Sequence, residues 1–112
     1  MGNNLFIQHS ATNPFEVMRG IASFIGGGVL DLFPKLRCAF LEAGVGWLPF
    51  WMERLDEHYE LMPEYVPNLK RRPSEVVQSE NFFISCDPDE ETLPYVAERV
   101  GRSEERRVGK EC

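Results

Sequence analysis

Two short strand signals constrain this chain most. One is Leu36–Glu42, in which Cys38-Ala39-Phe40-Leu41 is continuously apolar, and the other is Asn81–Cys86, NFFISC, with Phe82-Phe83-Ile84 at its centre. A continuous run of this length, without polar alternation, reads as a strand covered on both faces, as in a parallel sheet. A helix-length segment from Trp47 to about Leu61 separates the two. It places Trp47, Phe50, Trp51, Leu55, His58 and Tyr59 on one side and Glu53, Asp56, Glu57 and Glu60 on the other. Antiparallel strands can be joined by a hairpin, whereas a helical connection favours parallel pairing. The pattern therefore predicts an α/β fold.

Other elements follow from local signals. Leu5-Phe6-Ile7 reads as a short strand or the end of one. Asn13-Pro14-Phe15-Glu16 reads as a helix start, with Asn13 as cap, Pro14 at the first helical position and Glu16 behind. That helix is expected to run to about Phe33 and to end at Pro34. Gly26-Gly27-Gly28 would weaken it by roughly 1 kcal/mol each unless something packs close against them. Pro63 to Pro73 reads as a loop holding Lys70-Arg71-Arg72, a solvated basic knot, with Ser74 capping a short turn and Glu75 behind it. Asp87 or Asp89 is expected to start a last helix through Val100. Acidic residues would fill its first turn and Gly101 would follow its end.

Composition excludes several function classes. The 112 residues hold 12 Lys and Arg against 18 Asp and Glu, for a net charge of −6. That balance opposes non-specific nucleic-acid binding and attraction to anionic membranes. At 43% hydrophobic and 12% aromatic, the chain is too apolar for a disordered acidic tail. No run approaches the ~20 apolar residues of a membrane span, and the start lacks the pattern of a secretory signal. Cys38, Cys86 and Cys112 make no disulfide framework or zinc pattern, so buried thiols and a cytoplasmic location are the expectation.

In parallel α/β folds, ligands sit at the C-terminal ends of strands. Two such ends are predicted here, Leu41 to Gly46 and Ser85 to Asp89. Glu42 closes the first strand and precedes the turn Ala43-Gly44-Val45-Gly46. It reads either as a group facing a site (metal ligand, acid/base or hydrogen-bonding group) or as a structural carboxylate accepting backbone N–H bonds. Asp87 and Asp89 read as helix caps. Cys86 reads as a packed thiol, since no histidine neighbours it in sequence. His9 and His58 form no ligand pair, so the chain carries no self-contained zinc site. Gly44-x-Gly46 before a helix could cradle a phosphate, as in a flavodoxin-like domain, but it lacks the third glycine of a dinucleotide site. Arg54 reads as a surface ion pair with Glu57 or as a clamp for a substrate carboxylate.

Two stretches carry a family resemblance: NPFEVMRGIASFIGGGVLDLFPKLRCAFLEAGVGWLPFWMERLDEHYE and NFFISCDPDEETLPYVAERVG. The chain from Asn13 to Gly101 resembles the amidohydrolase superfamily, in the branch that includes aminocarboxymuconate-semialdehyde decarboxylase. The resemblance implies a metal-dependent (β/α)8 TIM barrel, a fold of roughly 250 residues even without insertions. This chain would supply about three βα units of its second half, near strands six and seven. It implies a divalent metal, expected to be zinc, activating water for hydrolysis or decarboxylation of a small-molecule substrate.

The chain departs from that family in three ways. The His-x-His of the first strand and the metal histidine of the fifth are absent. The Ser-Asp stretch expected after Gly101 is replaced by residues 102–112, RSEERRVGKEC, which do not match the family. That break implies a truncated or artefactual reading frame, with residues 1–101 as the barrel fragment and 102–112 as a disordered tail. Where the decarboxylase has a catalytic histidine after strand six, gap-free pairing through Pro49-Phe50 places Ala43, with Glu42 just before it. Glu42 is thus the catalytic candidate. Trp47 and Arg54 are the substrate-binding candidates, and no metal ligand is assigned. Arg54 aligns with an arginine that reaches the substrate of a neighbouring subunit, which implies a homodimer. The competing expectation is a non-enzymatic interaction module or an unstable fragment.

Overall fold

The computed structural model describes residues 4–100. The tail 102–112 and the Gly101 position lie outside the described residues. In order, the elements are α1 (Leu5–Gly26), α2 (Val29–Leu32), β1 (Cys38–Phe40), α3 (Leu48–Leu61), a 3-10 turn (Pro63–Tyr65), α4 (Pro73–Val77), β2 (Phe82–Ile84) and α5 (Leu93–Val100).

The strands β1 and β2 pair in parallel, with Cys38 opposite Phe82, Ala39 opposite Phe83 and Phe40 opposite Ile84. Backbone bonds extend the pairing at each end, from Cys38 N–H to the Asn81 carbonyl (2.8 Å) and from Ser85 N–H to the Phe40 carbonyl (3.0 Å). Both strands are shorter than the apolar runs suggest. Coverage on both faces, the pattern expected from those runs, is not what they have. Phe82 and Ile84 are buried and Phe83 between them is half-buried, with the Arg37 guanidinium 5.5 Å above its ring. On β1 the middle residue, Ala39, is exposed. The helices cover one face of this pair.

That face packs on a core from four helices. Ile21 and Ile25 of α1, Leu48 and Met52 of α3, Val76 and Val77 of α4, and Val96 and Val100 of α5 meet Phe82 and Ile84 there. Burial of each such side chain contributes about 1.5–3 kcal/mol. Phe40 sits between α1 and the second strand, with ring centroids 5.7 Å from Phe24 and 5.3 Å from Phe82.

The helix boundaries correct the sequence reading. Leu5-Phe6-Ile7 is helical, not a strand, because α1 starts at Leu5. Its cap is Asn4, whose side chain accepts the Ile7 N–H at 3.1 Å. Pro14 therefore lies inside α1 rather than at its first position. The helix also stops at Gly26 instead of running to Phe33. Gly28 turns left-handed (φ +70°), and a Cβ there would sit 2.5 Å from the Asn68 backbone. The close contact expected at the glycines exists, but it breaks the helix. Ser74 does not cap α4. Its N–H donates to Asp56 Oδ1 at 2.9 Å, while Glu75 Oε1 accepts the Arg72 N–H at 2.8 Å. The last helix starts at Leu93, so the acidic residues fall in the turn before it.

The basic knot is largely solvent-exposed, as expected, and is also tied down by ion pairs. Asp31 accepts the Lys70 N–H (2.7 Å) and pairs with Arg71 Nε (3.0 Å). Arg72 bridges Glu60 (2.8 Å) and Asp56 (3.4 Å), and its bond to Glu60 holds the guanidinium pKa above its ordinary value. No described helix is long and apolar enough to cross a membrane.

Candidate functional site

The turns after β1 and β2 lie side by side and enclose a cleft of about 640 Å³, lined by Glu42, Gly44, Ser85, Asp87 and Glu90 among others. Sequence reasoning pointed to both strand ends separately; parallel pairing makes them one site.

Glu42 is exposed and adopts the left-handed conformation (φ +67°), which non-glycine residues rarely do. Such a conformation costs on the order of 1–3 kcal/mol and persists where surroundings enforce it. Here the Ser85 hydroxyl oxygen accepts the Glu42 N–H at 3.1 Å, tying this residue to the second turn. Gly44, two residues on, is also left-handed (φ +74°). Together they fold the chain back across the strand ends. The Glu42 carboxylate lines the cleft and has no hydrogen-bond or ion-pair partner among the described residues.

The structural role considered for Glu42 is filled by Glu90, which the sequence reading missed. Glu90 Oε2 accepts the Val45 N–H at 2.9 Å and Oε1 accepts the Asp87 N–H at 2.8 Å. One carboxylate thus bolts the two turns together. It also explains Gly44, since a Cβ there would approach Glu90 Oε2 to 3.1 Å. The available signal was the spacing Asp87-x-x-Glu90, which is that of a capping box. Asp87 does act locally, with Oδ1 accepting the Asp89 N–H at 3.1 Å, but in a turn rather than at a helix start.

This bolt bears on the phosphate reading of Gly44-x-Gly46. The Val45 N–H that a phosphate would use already meets the Glu90 carboxylate. At Gly46 the Thr92 side chain packs close, since a Cβ there would lie 2.8 Å from Thr92 Oγ1.

The other two candidates lie elsewhere. Trp47 is half-buried against the core, and its Nε1–H donates to the Ala43 carbonyl at 2.9 Å, closing the turn into α3. It lines neither the cleft nor the groove around Arg54. Arg54 is exposed on α3, in a charged groove of about 410 Å³ with Glu53, Glu57, Glu60 and Arg72. The expected pair with Glu57 is not formed, and Arg54 has no ion pair among the described residues. The structure therefore brings Glu42 to the strand-end cleft and does not bring Trp47 or Arg54 there.

The residues present do not by themselves fit a resident divalent metal. Both Glu90 oxygens already accept backbone N–H groups, and no three His, Cys, Asp or Glu side chains among the described residues converge as a ligand set. The histidines are apart, His9 on α1 and His58 on α3. Cys38 is a free, half-buried thiol whose pKa burial raises. Cys86 is buried. Chemically, the cleft offers an open carboxylate, Glu42, beside the Ser85 hydroxyl. This suits proton transfer or a hydrogen bond to a substrate donor. Comparison with known proteins finds no family model and no curated protein that matches this chain.

Proposed function

We propose that this chain is part of a metal-dependent amidohydrolase-type TIM barrel, a hydrolase or decarboxylase, in which the strand-end cleft forms one sector of the active site. One observation carries the reading. Two sequence-consecutive strands are parallel neighbours, and the turns at their C-terminal ends enclose a cleft holding an unpartnered carboxylate, Glu42. Barrel enzymes of this kind place catalytic groups at that end of their strands. The family resemblance of Asn13 to Gly101 supplies the reaction class.

In this reading the metal, expected to be zinc, and its histidine ligands come from other strands of the barrel. This chain's own residues shape the site. Glu42 faces the small-molecule substrate and holds or moves a proton. Ser85 and Glu90 fix the turns that aim it. Arg54, unpaired on α3, reaches toward a second subunit in a homodimer.

The test is kinetic and uses the complete barrel. Glu42→Gln keeps the size and removes the charge and the proton-carrying site, so kcat should fall by about 10²–10⁴. Turnover within a factor of two of the parent would remove Glu42 from the chemistry.

A second reading, an interaction module without catalysis, is favoured by a different observation. Phe6 is 80% exposed and Phe33 61%, with Leu41 at 58% beside the open strand end. Apolar exposure of this kind suits a docking surface. Co-purification of a defined partner with the complete protein, with no turnover of hydrolase or decarboxylase substrates by that protein, would favour this reading.

A further inference from the structure

A cavity of about 150 Å³ lies where α1, α3 and the 3-10 turn meet, and it shares no lining residue with the strand-end cleft. Its walls are mainly aliphatic and aromatic. Ile25 and Leu69 are buried, while Leu55 and Val66 are half-buried against the core. At its mouth, Met62 and Tyr65 are 40% and 76% exposed, so a ligand can enter from solvent. An apolar cavity of about this size accepts a benzene-sized guest in other proteins.

One polar group singles out the guest. His58 lines this cavity, and its Nδ1 lies 2.9 Å from the Arg54 carbonyl oxygen. A carbonyl only accepts, so Nδ1 carries the hydrogen, and in the neutral ring Nε2 is left as an acceptor. Nε2 has no partner among the described residues. The Tyr59 hydroxyl is already committed, donating to the Leu69 carbonyl at 3.4 Å. Tyr65, the remaining polar side chain, is 76% exposed at the mouth, so the lining combines apolar walls with His58 Nε2, an acceptor that has no donor among the described residues.

We propose that this cavity is a binding site for a small aromatic molecule carrying a single hydrogen-bond donor, of the phenol class. The ring fills the apolar space, and its O–H donates to His58 Nε2. The site is independent of the barrel reading, so its test does not depend on turnover.

The experiment is a methyl NMR titration of the full 112-residue chain with phenol and with benzene, with a thermal melt of each variant. The expected result is saturable shifts at the Ile25, Leu55 and Leu69 methyls at millimolar ligand, with phenol about fivefold tighter than benzene, the value of one net hydrogen bond. His58→Leu should retain benzene binding and abolish the phenol preference. Ala22→Leu, which adds bulk to the cavity wall, should weaken both ligands at least tenfold. If its melt shows loss of folding, Gly26→Val takes its place, since a Cβ there lies at an ordinary 3.5 Å from Val66. The proposal is overturned if neither ligand saturates those methyls, if benzene binds as tightly as phenol, if His58→Leu keeps the preference, or if a folded blocking variant binds like the parent.

Discussion

Glu90 and Glu42 are both acids near a strand end, yet they do opposite things. Glu90 gives both oxygens to backbone donors, one of them from Val45, which is fully buried. Removing the acceptor strands that N–H away from water, so Glu90→Ala should destabilise the fold by about 1–3 kcal/mol in urea unfolding. An unchanged midpoint would mean the bolt carries no stability. Glu42 was legible because it ends an apolar run before a glycine turn. The role of Glu90 depends on two turns that meet only through strand pairing, and its local spacing alone does not say which N–H groups it serves. Gly28 was visible as a glycine but not as a break, because the close neighbour, Asn68, is distant in sequence. Its left-handed φ and the 2.5 Å approach of the Asn68 backbone predict that Gly28→Ala costs more than the ~1–2 kcal/mol of the backbone conformation alone. Cys38 adds a pH dependence of known sign. Its folded pKa lies above the ordinary 9.0, so the unfolded chain ionises first. That contribution to stability is fully present below pH 9 and is lost as pH rises through the folded value. Melting temperature should fall more steeply above pH 9 in the parent than in Cys38→Ser.

The elements were legible where their pattern was long and locally consistent. The helix α3 lies within one residue of its expected start because Pro49 fits a first turn and the apolar side repeats at helical spacing. Both strands were found, although their coverage was overestimated: an apolar run does not say whether a second layer is present. The main error was α1. Pro14 reads as an initiator, but Asn4 caps a longer helix upstream, and Pro14 then occupies an interior position. Interior proline lacks the N–H for its i−4 carbonyl and crowds it, a cost of about 3 kcal/mol in full helix. Pro14→Ala should therefore stabilise the protein by about 1–3 kcal/mol and raise helical circular dichroism. If α1 instead began at Asn13, the same change would bring no gain. The start of α5 was misread for a related reason. Asp87 and Asp89 favour local turns, and Glu90 locks that turn before the helix begins.

The whole molecule presents a two-stranded parallel sheet with both outer edges unpaired among the described residues. Parallel sheets occur mostly within larger, doubly covered arrays, and exposed edges invite pairing with other chains. The exposed Phe6, Phe33 and Leu41 add apolar surface to the same tendency. The isolated chain should therefore associate with rising concentration, which light scattering after size exclusion will read as a growing mass. A constant monomer mass would show that the edges are self-protected. The barrel account makes a sharper claim, that β1 and β2 are interior strands. Cys38 directs its N–H group between the strands, so by alternation Ala39, which is exposed, directs its N–H to the outer edge. Hydrogen exchange at the Ala39 amide tests the claim most directly. The account predicts fast exchange in the monomeric 112-residue chain and strong protection in the complete barrel; equally fast exchange in the longer protein would contradict it.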